Sequence, residues 1–188
     1  RARAILEKFL TLLNVRATTK VTVIPRSTGE QEMKACSKLE NWLLGYQRQY
    51  MMETKKNPWR DFVYWYLLRG RGVIETRFDV NMIDSEYTPI RTIVTDPNMV
   101  YTVRGESGIG WYTKEYKRYV WDIRSELDGL KGSKKRQMPV LPDDENAKVP
   151  VVEYWDKEWN ALLVDEQLVW VNRHDYGFVP ISEAHCMD

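Results

Sequence analysis

Three strand-like runs near the end of the chain constrain its fold more than any other feature. Val149–Asp156, Ala161–Asp165 and Gln167–Asn172 have the short, β-branched and aromatic composition of strands. A turn and the apolar stretch Phe178–Ile181 come after them. The connections between the runs have hairpin length, so this part of the chain predicts an antiparallel meander.

The first part of the chain has mainly helical spacing instead. Ala4–Leu13 carries apolar residues at helical positions, whereas Lys20–Ile24 alternates as a short strand. Glu30–Lys55 predicts a long helix with one apolar and aromatic stripe. A proline-containing break separates it from a second helix, Pro58–Leu68. Since that helix is apolar over much of its circumference, we expect it to be central.

Beyond Gly70 the pattern changes to strands. Runs of strand type are Val73–Phe78, Ile90–Val94, Met99–Arg104 and Trp111–Lys117. One more helical pattern, Tyr119–Leu127, precedes a polar loop over Gly129–Ala147 that is the best candidate for flexibility. Helices followed by strands with hairpin-length connections predict an α+β fold with an antiparallel or mixed sheet. We expect a single domain over 1–188, helical to about residue 70 and mainly β over about 71–181.

The composition limits the classes of function. Hydrophobic residues make up 43% and charged residues 29% of the 188 residues, which are globular values. The formal net charge is only +1, whereas a dedicated DNA-binding domain usually has a basic excess. Eight Trp and eleven Tyr are many for this length, and a Trp-rich core with scattered surface rings accounts for most of them; the alternative is that additional aromatic surface is buried against copies of the same chain. No apolar run approaches the roughly 18 residues of a membrane span, so we expect no membrane partner.

One short pattern allows a nuclease hypothesis. Asp96 next to a strand, and Glu115 and Lys117 on the following strand, resemble the carboxylates and lysine of a divalent-metal nuclease. Alternation along a strand places Glu115 and Lys117 on one face. The alternative is that Asp96-Pro97-Asn98 is a β-turn and that the other two residues form a solvated strand face.

Three further patterns favour structural roles. Gly105–Gly110 lacks the Gly-Lys-Ser/Thr of a phosphate loop and predicts a hairpin. His174, His185 and Cys186 lack zinc spacing, and His174 with Gly177 predicts a turn in which the glycine has a positive φ. The basic cluster in the polar loop predicts a solvated segment, with a contact to phosphate as the alternative; it consists of Lys131, Lys134, Lys135 and Arg136.

Several short motifs occur along the chain in a fixed order. The most specific is Tyr154-Trp155-Asp156 paired with His174–Pro180, His-x-Tyr-Gly-Phe-Val-Pro. The others are Glu40-Asn41-Trp42-Leu43 with Gln47-Arg48, the helix Asp61–Leu68 with Gly70-Arg71-Gly72-Val73, and Asp96-Pro97-x-x-Val100-Tyr101. In this order they cover most of the chain, which resembles the N-terminal half of portal proteins of tailed bacteriophages.

The resemblance implies a structural role in the virion. Portals are homo-oligomeric rings, usually dodecamers, at one vertex of the capsid, and double-stranded DNA passes through them during packaging and ejection. The terminase motor, head–tail connector proteins, and the major capsid and scaffolding proteins are the partners that it implies. The chain would be the wing region, assembled in the host cytoplasm, with the stem, clip and crown beyond Asp188. We therefore expect a fragment of a longer protein.

No residue of the chain is predicted to be catalytic, to bind a cofactor or to bind a metal under this interpretation. Two alternatives stay open: a nuclease that uses Asp96, Glu115 and Lys117, and a stand-alone, aromatic-rich interaction module. The nuclease requires all three side chains on one face with a metal between them. The module requires a complete domain with natural termini.

Overall fold

The computed structural model describes residues 22–25, 29–55, 57–78, 89–106, 108–129 and 138–186. The fold is α+β, as the sequence predicts, with a long helix and two antiparallel sheets. The chain forms two compact units, unit 1 (Arg1–Thr95 with Ser182–Asp188) and unit 2 (Asp96–Ile181), which are described separately. The expectation of one domain over 1–188 stays a prediction. The predicted helix Ala4–Leu13 lies outside the described residues.

Two helices of unit 1 begin and end close to the predicted positions. Helix α1 spans Glu30–Thr54, and Lys55 ends it in a left-handed conformation with φ 56°. Helix α2 spans Pro58–Arg69 and is capped by Asn57, whose side-chain oxygen accepts hydrogen bonds from two backbone N–H groups of the first turn. The first backbone N–H groups of a helix have no partner within it, so proline, which lacks an N–H, loses no hydrogen bond at the first position. Helix α2 therefore begins at Pro58.

The expectation that α2 is central is wrong. None of its residues is buried, and the side chains of Leu67 and Leu68 are 41% and 42% exposed. The helix packs against two strands of unit 1 but has no fully buried residue, so apolar residues around its circumference do not imply burial. The short strand predicted at Lys20–Ile24 is also absent from residues 22–25. There the backbone N–H of Val23 donates to Oε1 of Glu40 on α1 at 2.7 Å.

Three strands form the sheet of unit 1. They are β1 (Arg71–Phe78), β2 (Ile90–Thr95) and β8 (Ile181–His185), in the order β2-β1-β8. Strand β8 was expected to be only an apolar tail up to Ile181. It adds to β1, and the backbone N–H of Cys186 donates to the carbonyl of Gly70 at 2.7 Å. The chain therefore completes the sheet of unit 1 with its last described residues.

The sheet of unit 2 has five strands in sequential order. They are β3 (Val100–Gly105), β4 (Gly108–Tyr119), β5 (Lys148–Trp155), β6 (Trp159–Val164) and β7 (Gln167–Arg173). Each is antiparallel to its neighbours, which confirms the predicted meander. Helix α3 (Val120–Gly129) connects to β4 directly. The bounds differ from the predicted ones by a few residues at most strand ends, where pairing rather than composition decides the last residue.

One face of this sheet forms the core of unit 2. The alternation along β5 is strict, with odd-numbered residues buried and even-numbered residues less buried. We call the buried side the inner face and the other side the outer face. The core consists of Val120, Ile123, Leu127, Val149, Val151, Leu162, Val164 and Val169. Burying each of these side chains contributes about 1.5–3 kcal/mol, so this face fixes the register of the sheet.

Candidate interaction surface

The two halves of the most specific motif meet in space in unit 2. Tyr154 and Trp155 end β5, Asp156 follows them, and His174 follows β7. Nε2 of His174 lies 3.0 Å from the backbone carbonyl oxygen of Asp156, 18 positions earlier. Because β6 and β7 form a hairpin, the residue after β7 returns to the end of β5. The motif is therefore one structural cluster.

Asp156 organises the turn between β5 and β6. Its Oδ1 accepts hydrogen bonds from the backbone N–H groups of Glu158 at 2.7 Å and Trp159 at 2.6 Å. Its Oδ2 accepts from the hydroxyl of Tyr154 at 3.0 Å. Burial acts to raise the pKa of Asp156, but these hydrogen bonds together outweigh it and lower the pKa. The carboxylate is thus held ionised as a structural acceptor.

Four rings in successive contact extend from this turn and are here called the aromatic ladder: Trp155, His174, Tyr176 and Phe178. The ring centroids are 5.3 Å apart for Trp155 and His174, 5.0 Å for His174 and Tyr176, and 5.8 Å for Tyr176 and Phe178. The predicted turn is present, and Gly177 has φ 68°, a conformation that favours glycine. The first ring is buried, whereas Phe178 is 58% exposed. The ladder therefore leads from the core to the surface.

Aromatic side chains also lie on the outer face. The ring centroids of Tyr101 and Trp111 are 5.8 Å apart, and those of Trp111 and Tyr154 are 5.9 Å apart. Residues Tyr101, Thr113 and Tyr154 are direct partners across β3, β4 and β5. Tyr101 is 64% exposed. Rings of this size at the surface are typical of protein–protein contacts.

The residues of the nuclease hypothesis do not line one cavity. Asp96 lies in the 3₁₀ turn before β3, where its Oδ1 accepts a hydrogen bond of 3.0 Å from the N–H of Asn98. Glu115 and Lys117 share the outer face of β4, as predicted from alternation. A shallow cavity of about 410 Å³ includes Glu115 among its lining residues but neither of the other two. In the part of the chain that the structure describes, no three His, Cys, Asp or Glu side chains are grouped to hold a metal.

The remaining segments that the sequence singled out lie in a hairpin, in a strand and in a turn. Gly105 pairs with Gly108 at the end of the β3–β4 hairpin, which confirms the predicted hairpin. His185 lies on β8 in unit 1, where its Nε2 is 3.3 Å from Oε1 of Glu183, whereas His174 belongs to unit 2. The basic cluster at 131–136 lies outside the described residues. None of the helices among the described residues is long and apolar enough to cross a membrane.

Unit 1 has an apolar cavity of about 510 Å³, here called the socket. Helix α1 lies over the sheet and is attached by two tyrosines. The hydroxyl of Tyr46 donates to the carbonyl of Ile90 at 3.1 Å, and that of Tyr50 donates to the carbonyl of Thr92. The lining residues are Trp42, Leu43, Tyr46, Gln47, Tyr50, Pro58, Trp59, Phe62, Ile74, Thr76, Ile90, Thr92, Ser182, Glu183 and Ala184. The predicted stripe of α1 thus faces a space that it does not fill.

Sequence reasoning missed both the socket and the continuity of the aromatic ladder. The stripe of α1 was recognised, but nothing in one sequence says how closely a helix approaches a sheet. Phe178 was assigned to an apolar tail. Its position directly after Gly177 and two residues after Tyr176 indicated instead a turn from which aromatic rings project.

A comparison of the chain with models of known protein families, and a second with curated proteins, finds no match. The geometry of the two units is therefore the basis for a functional proposal.

Proposed function

We propose that this chain is the wing region of a portal protein of a tailed bacteriophage. In this role it is a non-enzymatic subunit of the ring at one vertex of the capsid. The observation that carries the proposal is the convergence of Tyr154-Trp155-Asp156 with the segment from His174 to Phe178. A motif that resembles the family in sequence forms a single hydrogen-bonded and stacked cluster. The meander of β5, β6 and β7 brings the two halves of the motif to the same end of the sheet, and the hydrogen bond and ring contacts join them there.

The charge and the surface of the chain support a structural role. A net charge of +1 suits a region that does not line a DNA channel, because such a region needs no basic excess for contact with DNA. Exposed rings in both units suit association with other protein surfaces, since Tyr and Trp are enriched at interfaces. The proposal includes a homo-oligomeric ring, contacts with capsid and scaffolding proteins, and docking of terminase and later of connector proteins.

Native mass spectrometry of the full-length protein that contains this chain tests the proposal. We expect a closed ring of about a dozen subunits, as cyclic homo-oligomers form by repeated head-to-tail contacts. A particle that stays monomeric or dimeric at all protein concentrations would contradict the proposal. Electron microscopy of the same sample should show a central channel in end-on views.

The nuclease alternative has its own test. Plasmid DNA is incubated with the protein and Mg²⁺ or Mn²⁺, and Glu115→Ala is the control variant. Metal-dependent cleavage that Glu115→Ala abolishes would favour the nuclease over the portal. Glu115 suits this control because it lies on the outer face and is exposed, so the substitution leaves the core intact.

The exposed aromatic surface of unit 2 also favours the alternative of a stand-alone interaction module. Such a module predicts a monomer that binds a different protein. The mass measured for the assembly therefore separates the two.

A further inference from the structure

The outer face of unit 2 has a polar pocket beside its aromatic rings. It is the shallow cavity of about 410 Å³ that Glu115 lines, here called the outer pocket. Glu115 and Thr113 lie two positions apart on β4 and therefore on one face, and Tyr101 of β3 is the direct cross-strand partner of Thr113. The other lining residues are Asn98, Met99 and Val100. A carboxylate, a hydroxyl and an aromatic ring thus border one space.

The carboxylate of Glu115 is the charged group of this pocket. Glu115 is exposed, and within the described part of the chain no hydrogen bond or ion pair joins its side chain to another group. Lys117 lies two residues further along the same face of β4, but it does not line the pocket. The pocket therefore has a negative charge that a cation of another molecule can compensate.

Tyr101 adds an aromatic surface to the same space. Its side chain lines the pocket and is 64% exposed. Its ring is the first of three in contact, since its centroid lies 5.8 Å from that of Trp111, which in turn lies 5.9 Å from that of Tyr154. A cation over the face of such a ring is attracted by the negative charge of the π-system. A ring that already contacts its neighbours loses little conformational entropy when a partner binds.

A guanidinium group matches these neighbours better than an ammonium group. It is planar and weakly hydrated, so it stacks on an aromatic ring such as Tyr101 while its N–H groups donate as a pair to a carboxylate such as that of Glu115. An ammonium group is a compact, strongly hydrated charge without a flat face. The side-chain oxygens of Thr113 and Asn98 are further acceptors in the lining for the remaining N–H groups.

We propose that the outer pocket binds an arginine side chain of a partner protein, and that apolar residues next to this arginine contact Trp111 and Tyr154. A protein segment fits better than a small molecule, because the row of rings continues along the outer face beyond the pocket. Arginine and aromatic side chains are both enriched in the buried centres of protein interfaces. The pocket lies entirely within unit 2, so the proposal goes beyond the portal function and does not depend on a ring of subunits.

Titration of the 188-residue chain, followed by NMR of its backbone and indole N–H signals, tests the pocket. The probes are the N-acetyl amides of arginine, lysine and citrulline, and the tripeptide leucyl-arginyl-leucine with blocked ends. Citrulline has nearly the shape of arginine but no charge. We expect the arginine amide to shift the signals of Tyr101 and Glu115 and to bind about threefold more tightly than the lysine amide. The tripeptide should bind about fivefold more tightly than the arginine amide and should also shift the indole signal of Trp111.

Three variants identify the groups that bind the probe. Glu115→Gln keeps the shape of the side chain and removes its charge, so we expect about fivefold weaker binding of the arginine amide. Tyr101→Leu should weaken it by about threefold through loss of the cation–π contact. Glu106→Gln is the matched control, because Glu106 is also exposed in unit 2 but does not line the pocket. It should bind the probe like the original chain, and circular dichroism verifies that each variant folds.

Each other outcome overturns a defined part of the proposal. Equal binding of the arginine amide by Glu115→Gln and the original chain, or an equal loss in Glu106→Gln, would show that the outer pocket is not the site. Equal affinity for the lysine or citrulline amide would exclude recognition of a guanidinium group. If the tripeptide binds no more tightly than the arginine amide, the pocket binds a small guanidinium compound and the partner protein is excluded.

Discussion

The hydroxyl of Tyr116 donates a hydrogen bond of 2.6 Å to Oε1 of Glu153 on the inner face of the five-stranded sheet. Nζ of Lys114 lies 3.1 Å from the same oxygen. Lys114 and Glu153 are each only 8% exposed and are direct cross-strand partners between β4 and β5. A charged pair at such a position is stable only because each member compensates the burial of the other.

The first prediction concerns this ion pair. Lys114→Met leaves the carboxylate of Glu153 buried without its cation, so we expect a loss of about 3 kcal/mol in the free energy of unfolding. Urea denaturation monitored by tryptophan fluorescence measures the loss. The double variant Lys114→Met/Glu153→Leu should recover only part of it, because an apolar pair needs no compensation but the hydroxyl of Tyr116 loses its acceptor. Lys117→Met, on the exposed outer face of the same strand, should stay within about 0.5 kcal/mol of the original chain.

The second prediction concerns stability at alkaline pH. Burial, and after it the negative charge and hydrogen bond of Glu153, raise the pKa of Tyr116 above its usual value of 10.0. Above about pH 10 the unfolded chain loses this proton while the folded chain keeps it, so stability decreases as the pH rises. We expect Tyr116→Phe to lessen this decrease by up to about 1.4 kcal/mol per pH unit. Urea titrations at several pH values between 9 and about 11.5 measure it.

An equal alkaline decrease in the original chain and in Tyr116→Phe would contradict this explanation. Tyr46 and Tyr50, whose pKa values are also raised mainly by burial, contribute to both chains equally. Their contribution therefore cancels in the comparison.

The third prediction concerns acid. Since the pKa of Asp156 is lowered in the folded chain, its contribution to stability is complete above the unfolded value, near pH 4, and is lost as the pH falls through the folded value. Asp156→Asn removes the charge but keeps an oxygen for the N–H groups of Glu158 and Trp159. We expect the variant to be less stable at pH 7 and to approach the original chain below about pH 3.

Thermal unfolding at both pH values gives this comparison. Tyr154→Phe, which removes only one of the three hydrogen bonds to Asp156, should have a smaller effect of the same sign. A constant difference between Asp156→Asn and the original chain at all pH values would indicate a purely steric effect.

The fourth prediction compares two glycines. A Cβ at Gly72 on β1 would lie 2.8 Å from two ring carbons of Phe62 on α2, closer than packed carbons allow. We expect Gly72→Ala to cost about 1–3 kcal/mol, the usual cost of overpacking. Phe62→Leu in the same chain should recover part of this loss. Gly45→Ala has open space and lies within α1, so we expect a gain of up to about 1 kcal/mol from helix propensity.

The elements that were predicted correctly have local causes. The end of α1 and the start of α2 follow from the cap of Asn57 and the fixed φ of Pro58, both of which act within one turn. The face shared by Glu115 and Lys117 follows from the two-residue period of a strand. Hairpin-length connections likewise determine the pairing of β3 with β4, of β5 with β6 and of β6 with β7, whereas β4 and β5 pair across a longer connection that contains helix α3.

The features that were missed depend on residues far apart in sequence. Strand β8 is short and polar in composition, and it exists because it pairs with β1; Nη2 of Arg71 lies 2.7 Å from Oε2 of Glu183, 112 positions away. The error on α2 has a related cause, because the number of sides that a helix buries depends on which layers cover it. Within the candidate surface, both halves of the motif were recognised from the sequence. The aromatic ladder that joins them was not, because it depends on the end of β7 lying near the end of β5.

The late pairing of β8 has a consequence for synthesis on the ribosome. The sheet of unit 1 lacks its third strand until the chain has been made as far as Ile181–His185, whereas each strand from β4 to β7 pairs with the strand made just before it. Closing a loop of this length costs entropy before the contacts of β8 offset it, and such non-local pairing is slow. Unit 2 is therefore expected to fold first on the emerging chain. In nascent chains that are arrested before β8, unit 2 should resist proteolysis and unit 1 should be cleaved.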